Sequence, residues 1–433
     1  MRTFTTAQTN LRLLFASRMI RLFACGLFAV VLALYLEGLG LSGGQIGTVL
    51  TLTFLGDAAI SLWLSTRADR IGRRLTLKLG AALMVLGGAG MASTSNFVLL
   101  TLAATIGVIS PTGAEVGPFL SIEQACVAHI VDVRKRTQVF AWYHVAGFTM
   151  SALGALVGGA LANRLQQHGW TPVASYRALF WIYAGCGVVL GLLSLGLDPK
   201  VEEAGNNDSA ECSNPLNRVL GLGSAYSLVL RLSALFALDS FGGGFCVQSF
   251  LAWWFHQRFG ASDAALGAVF FGTNLLSGFS ALVAVPLAKR FGLIATMVWT
   301  HLPSSLLLMM VPLMPSFSSA MIVLWLRNSI SQMDVPTRAS YVSAVVPANV
   351  RSAANGVTTT AKQIGTSVAP LIAGPLLSSA AWMSAPFWIC GLTKITYDLL
   401  LWRAFRHVRP LEKAQQKPEV SVTSPTQVGK GRS

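Results

Sequence analysis

Asp69-Arg70-Ile71-Gly72-Arg73-Arg74 is a short basic run with one acid and one glycine, set between two long apolar segments, Gln45 to Thr66 and Leu75 to Ser93. A soluble domain has no need of both flanks. A pair of membrane-crossing helices does, because about 20 apolar residues are required to span a bilayer as helix and the charged loop between them stays in water. The rest of the chain repeats the theme. Of its 433 residues 53% are hydrophobic and 11% are charged, whereas soluble domains carry roughly 25% charged residues. Mean hydropathy is +0.59. Twelve apolar runs follow one another, at about 17–38, 45–66, 75–94, 97–118, 139–161, 177–197, 229–255, 264–286, 293–312, 318–346, 352–377 and 382–403. Backbone groups cannot go unpaired in lipid, so these runs are predicted to be helices.

The net charge of +15 would suit nucleic acid if it were spread over one surface. Its placement argues for a membrane instead. With both termini in the cytoplasm, Lys and Arg gather at the N-terminus, at 67–78, at Arg134-Lys135-Arg136, at Lys289-Arg290, at Arg351 and in the tail, while the opposite loops hold only Arg164, Arg177 and Arg258. This is the positive-inside distribution. No nucleic-acid partner is expected. The polar first dozen residues run straight into a span carrying Arg18 and Arg21, which is not the pattern of a cleavable leader. The six cysteines and six histidines have no metal-ligand or redox spacing, and there is no phosphate-binding Gly-x-x-x-x-Gly-Lys loop. No metal, no cofactor and no enzymatic activity are expected.

The polar stretch Asp198 to Arg218 divides the chain into a first six-span unit (1–197), a cytoplasmic linker (198–228), a second six-span unit (229–405) and a disordered cytoplasmic tail (406–433). The units are related. Gly40-Leu-Ser42 and Ile46-Gly47-Thr-Val49 match Gly260-Ala-Ser262 and Leu266-Gly267-Ala-Val269 at an offset of 220, which also carries Arg70-Ile-Gly72 onto Arg290-Phe-Gly292. Further on, Arg136 falls on Arg351, and Gly154-Ala-Leu-Val-Gly158-Gly159 on Ala369-Pro-Leu-Ile-Ala373-Gly374, at an offset of 215. Two constant registers that also preserve loop residues point to a duplicated six-helix unit.

The loop at Asp69 resembles the motif Gly-x-x-x-Asp-Arg-x-Gly-Arg-Lys/Arg that joins the second and third helices of major facilitator superfamily transporters. Here it reads Ser65-Thr-Arg-Ala-Asp69-Arg70-Ile-Gly72-Arg73-Arg74, with Ser65 for the leading Gly. The resemblance covers about residues 10–405. It implies an all-α membrane protein of twelve helices in two pseudo-symmetric bundles, working by alternating access as a secondary transporter. It also implies that Asp69, Arg70, Gly72, Arg73 and Arg74 form a gate in which the acid faces the N-terminus of helix 11, near Ser352; a carboxylate favours the positive end of a helix dipole. Gly154-Ala155-Leu-Val-Gly158-Gly159-Ala-Leu161 on the fifth span resembles the antiporter motif Gly-Pro-x-x-Gly-Gly-x-Leu/Ile, with Ala155 in place of Pro. The motif leans toward export; close helix packing by Gly154, Gly158 and Gly159 explains it equally. The fourth span lacks the Arg that many family members carry at mid-depth; Arg327 on the tenth span supplies a basic residue instead.

Charges inside a bilayer cost at least about 2.5–3.5 kcal/mol each at its centre, so they mark function. Asp57, Asp239 and Glu115 are the candidates for proton coupling, since a carboxylate in a low-dielectric site takes up a proton more readily. A different coupling ion stays open. Asp239 lies at nearly the depth of Arg21 in the other unit, which suggests a pair across the halves. Arg21, Arg327, Asp334, Arg338, Lys362, Trp142 and Tyr143 are candidates for the substrate cavity. Ser110 to Pro118 and Gln332 to Arg338 interrupt spans four and ten, Gly242-Gly243-Gly244 adds a flexible point to span seven, and the 215 offset sets Glu123 against Arg338 with opposite charge. Interrupted helices at matching places in two repeats point to a binding or gating region. Trp253 and Trp254 read as an interfacial belt, and Lys394 with Asp398 as a structural i, i+4 pair. The expected partners are a small-molecule substrate, a proton and the lipid of the plasma membrane, with the chain a monomer. Importer of a small organic anion, and non-transporting sensor, stay open beside efflux.

Overall fold

A computed structural model describes residues 2–114, 119–198, 226–346 and 351–406. Sixteen α-helices are seen there: α1 Arg2–Ala29, α2 Leu32–Gly38, α3 Gly43–Ile71, α4 Arg73–Ser93, α5 Phe97–Ile106, α6 Phe119–Ile130, α7 Val133–Gln167, α8 Pro172–Leu195, α9 Tyr226–Gly244, α10 Gln248–Phe259, α11 Asp263–Phe291, α12 Leu293–Met310, α13 Phe317–Ser331, α14 Asp334–Val345, α15 Arg351–Leu377 and α16 Ala385–Phe405. Most of the linker and of the tail lies outside the described residues, as do Glu115 and the side chains of Asp69, Arg70 and Arg351.

Seven helical stretches are long and apolar enough to cross a membrane alone, and an eighth is the pair α1–α2, bent by 42°. The other four predicted spans miss that standard for physical reasons. Spans four (α5–α6) and ten (α13–α14) are interrupted where the Pro and Gly clusters fall. Spans eleven and twelve carry Lys362, and Lys394 with Asp398. Large apolar side chains stand outward on the bundle, among them Leu86, Leu192 and Trp299, each more than 60% exposed. Such a surface is stable only against lipid.

The duplication is visible in the backbone. Helices α3 and α11 each run 29 residues from positions 43 and 263, and α6 and α14 each run 12 residues from 119 and 334. Gly72 in the loop motif has φ +101°, and its repeat mate Gly292 has φ +89°. Only glycine adopts this conformation without strain, which is why both loops carry one. Each then accepts a side-chain bond from the helix that follows, Thr76 Oγ1 to Gly72 O at 2.9 Å and Thr296 Oγ1 to Gly292 O at 2.8 Å.

Glycines let the two halves touch. A Cβ on Gly47 would collide with the carbonyl of Pro370, and one on Gly267 would crowd the carbonyl of Ala155. Those contacts, α3 on α15 and α11 on α7, are the same contact seen from the two repeats. The Gly154 motif divides its work. Gly154 and Gly158 abut the backbone of α1 at Phe23 and Leu27, within one half, whereas Gly159 abuts Asp263 and Gly267 of α11, across the halves.

One break was not legible in advance. Span one kinks between Ala29 and Leu32 without Pro. The Ser249 hydroxyl of the other half lies 2.9 Å from the Ala29 carbonyl, which interrupts the helix's own ladder there. The belt expected at Trp253 and Trp254 is corrected: both are fully buried. Trp254 packs on Phe255, Phe259 and Phe387, because α10 is enclosed rather than lipid-facing.

Candidate functional site

The C-terminal half encloses a network of charges drawn from four spans. Asp239 of α9 accepts from Lys394 Nζ of α16 at 2.7 Å on one oxygen and from Arg338 of α14 at 2.9 Å on the other. Arg338 also bonds Asp334 one turn earlier, and its guanidinium lies over the rings of Phe236 and Tyr397. His301 of α12 places Nδ1 3.0 Å from both oxygens of Asp398 and Nε2 3.4 Å from Lys394 Nζ. All six ionisable residues are under 9% exposed. Charges so placed survive only with partners, and here the partners come from different helices, so the network ties spans seven, nine, ten and twelve together.

The N-terminal half holds a simpler counterpart. Glu123 of α6 takes both terminal nitrogens of Arg21 at 2.8 Å, the Ser17 hydroxyl at 2.8 Å and the Tyr143 hydroxyl. Arg21 packs over Phe119. Arg18 lies over Tyr143 and 3.3 Å from His144 Nδ1. The two halves therefore carry the same pair, span one to span four and span seven to span ten, with the charges exchanged.

This arrangement corrects several expectations. Arg21 does not reach Asp239; each residue is satisfied inside its own half. Arg21 and Tyr143 line no open cavity, being 2% and 0% exposed. Asp334 and Arg338 are likewise committed to the buried network. Trp142 is 62% exposed, so it shares no face with its buried neighbour Tyr143. Lys394 pairs with Asp239 rather than Asp398. His301 carries no motif or spacing that marks it in the sequence; its one signal is a polar ring inside the apolar ninth span. Asp57 of α3 is buried, with the Ser61 hydroxyl 3.4 Å away. Ligand atoms of Asp239, His301 and Asp334 lie within 4.8 Å of one another. A metal there would face two resident cations, Arg338 and Lys394, which already hold those oxygens.

The model of the Major Facilitator Superfamily matches residues 14–256 and 232–430. The chain belongs to that superfamily. An uncharacterized membrane protein of Saccharomyces cerevisiae, YJR124C, is 28% identical over 423 residues, 92% of this chain and 94% of its own. The quinolone resistance protein NorA of Staphylococcus aureus is 23% identical over 357 residues, covering 81% and 85%. Among solved structures, the human organic anion transporter MFSD10 superposes with a TM-score of 0.61 at 19% identity, over 91% of this chain and 99% of that one. A D-xylose-proton symporter superposes with a TM-score of 0.70 at 14% identity, over 92% and 98%. Likeness at that identity shows the fold: a multi-pass membrane protein with two six-helix bundles.

On the face away from the first turn of α1 and the last turn of α16, the two halves are bonded to each other. The Ser249 N–H donates to Pro111 O at 3.1 Å, and its hydroxyl, 2.8 Å from the same oxygen, serves either Pro111 or Ala29. Gln257 donates to Glu37 at 2.9 Å. Asp263 accepts from Gln166 at 2.7 Å and from Tyr176 at 3.1 Å. Pro111 lies in the break of span four and Ser249 just past the break of span seven, so the interrupted segments meet across the halves. Near the terminus-bearing face, Arg74 of the loop motif donates to the last-turn carbonyl of Leu195 at 3.2 Å, satisfying a helix end.

Because Gly159 is the motif residue that crosses the halves, Gly159→Val is expected to slow transport about tenfold or more while costing about 1–3 kcal/mol of stability. Gly154→Val, which loosens one half only, should cost stability without a matching loss in turnover of the folded fraction. Transport rate per folded molecule, counted by gel filtration, checks both.

Proposed function

We propose that this chain is a proton-coupled secondary transporter that exports a small organic anion by alternating access across the plasma membrane, with both termini in the cytoplasm. The observation that carries the coupling is the Asp239 network. A fully paired carboxylate shared between Lys394 and Arg338 offers two arrangements of charge, and a proton that changes the sharing changes which helices are tied. Asp57 stands as a second coupling candidate in the other half. Under this orientation the bonded face is the outer one.

Two cations favour an anionic substrate. Arg327 and Lys362 make no ion pair with a carboxylate among the described residues, and the Nε of Arg327 is buried without a partner. Lys362 shares a face of α15 with Gly365, which packs on Ala237 of α9, and it feels the charges of Asp239, Asp334, Arg338 and Lys394. Arg327 lies within the field of Lys394. Interior cations of this kind need a counter-charge, and guanidinium matches a planar carboxylate. Similarity to NorA and the Gly154 motif support export; a sensor would bind without flux.

Arg327→Ala is expected to raise the KM for an organic anion about tenfold or more, the worth of a charge-assisted bond, and to leave coupling intact. Uptake of a labelled panel of monocarboxylates, dicarboxylates and organic cations into vesicles decides it; an unaltered KM for every transported anion removes the anion assignment. The loop motif is proposed as the cytoplasmic latch. Asp69→Asn should slow turnover for every substrate alike, about tenfold, and an unaltered rate would leave the loop as a topology signal only.

A further inference from the structure

The proton itself has a more specific address than the Asp239 network as a whole. His301 is approached by Asp239 from α9, by Asp334 from α14, which Arg338 holds, and by Lys394, Tyr397 and Asp398 from α16. Its Nδ1 lies 3.0 Å from both Asp398 oxygens, a geometry that suits an Nδ1 hydrogen donated to an ionised Asp398. Its Nε2 faces the Lys394 ammonium at 3.4 Å. An ammonium has three donors and no lone pair, so Nε2 presents its own lone pair there. The same Nε2 lies 3.7 Å from Asp239 Oδ1, the oxygen that Lys394 holds at 2.7 Å.

Resting on the proton-coupled reading above, we propose that the coupling proton binds His301 at Nε2 and that the resulting imidazolium displaces Lys394 from Asp239. The proton arrives from water and occupies the Nε2 lone pair; no other bond is made or broken. The new N–H then meets the Lys394 ammonium as a like charge and Asp239 Oδ1 as an opposite one. Two cations compete for one oxygen, and His301 is held on its far side by Asp398 while Lys394 is a flexible side chain. Lys394 leaves, and span twelve is untied from span seven. Loss of the proton to the other side restores the Lys394–Asp239 pair. Span seven transmits the change: Lys394 lies beside Gly243, the helix breaks at Gly244, and the segment beyond carries Ser249 and Gln257, which seal the outer face.

The test needs no substrate. Glu37→Cys and Gln257→Cys, introduced together in the full chain with the native cysteines replaced and each carrying a nitroxide spin label, report closure of the outer face through the distance between the labels in vesicles. The ratio of separated to close label pairs is expected to change on the order of tenfold between about pH 8 and about pH 5.5. His301→Gln keeps the neutral wiring, since its amide donates to Asp398 and accepts from Lys394, but it does not titrate. It should give the parent's label distances at about pH 8 and a change in that ratio below about twofold. Lys394→Met, with nothing left to displace, should also be flat, and it carries the test if His301→Gln does not fold. A full pH response in either folded variant overturns the assignment of His301, as does a flat response in the parent. Proton-coupled flux that still needs Asp239 would then stand, with its proton elsewhere.

Discussion

Asp239→Asn is expected to abolish substrate-driven proton flux, a loss of about a hundredfold or more, in protein that still reaches the membrane. Asp239 is bonded at once to span ten, through Arg338, and to span twelve, through Lys394. An amide keeps the shape and one acceptor but removes the charge over which cations can be exchanged. Lys394 and Arg338 are then left with Asp334 and Asp398 nearby, so part of the charge balance survives and the protein retains a folded core. Breaking a buried pair by removing one partner costs about 3–5 kcal/mol when nothing compensates, and the neighbouring acids reduce that here. Asp239→Glu, which restores the charge, should recover part of the flux. Flux per molecule, normalised to folded protein, separates lost coupling from lost protein; full flux in Asp239→Asn would remove the network from the mechanism.

Arg21→Met is expected to have the opposite signature, a large loss of stability. Glu123 is wholly buried, and its Arg21 bonds are the only charged ones described for it. Without Arg21 the carboxylate keeps the Ser17 and Tyr143 hydroxyls, which do not balance a charge. The cost should be about 3–5 kcal/mol, seen as a fall in the unfolding temperature of the purified protein. Adding Glu123→Leu should recover most of it, since a buried pair replaced whole by apolar groups is often neutral or better. If Arg21→Met alone unfolds at the parent's temperature, the Arg21–Glu123 pair is not what holds spans one and four together. The contrast between the two halves follows from their surroundings. Glu123 is surrounded by hydroxyls and one fixed guanidinium, so it is a static joint. Asp239 has a lysine, a histidine and a second acid within reach, so it has somewhere to send a charge.

Much of this was legible in the sequence because the bilayer leaves few choices. Apolar runs of fixed length, the Asp69 loop and the repeat offsets are one-dimensional signals, and the helix boundaries reproduce them: α3 and α11 start 220 residues apart, α6 and α14 start 215 apart. The broken spans were legible because Pro and Gly break helices locally. Pairings were not, because they depend on rotation of helices about their axes. The cross-half pair of Arg21 with Asp239 is the instructive error. Two alignments, Arg21 with Asp239 in depth and Glu123 with Arg338 in register, each exchange the sign of the charge; taken together they imply the two pairs within halves that are found. Trp253 and Trp254 misled for a related reason, since a bulky aromatic near a helix end serves an interface or a bundle core equally well until its neighbours are placed. The kink at Ala29 has no Pro to announce it; the Ser249 hydroxyl that approaches the Ala29 carbonyl there comes from 220 residues away.

The most direct test of coupled transport is the pH change inside vesicles carrying the reconstituted protein, followed with a trapped indicator as organic anions, organic cations and sugars are added in turn. The account predicts that organic anions, and neither of the other classes, drive a proton movement that Asp239→Asn abolishes. A response to organic anions that persists undiminished in Asp239→Asn, or transport of the anions with no proton movement, would contradict it.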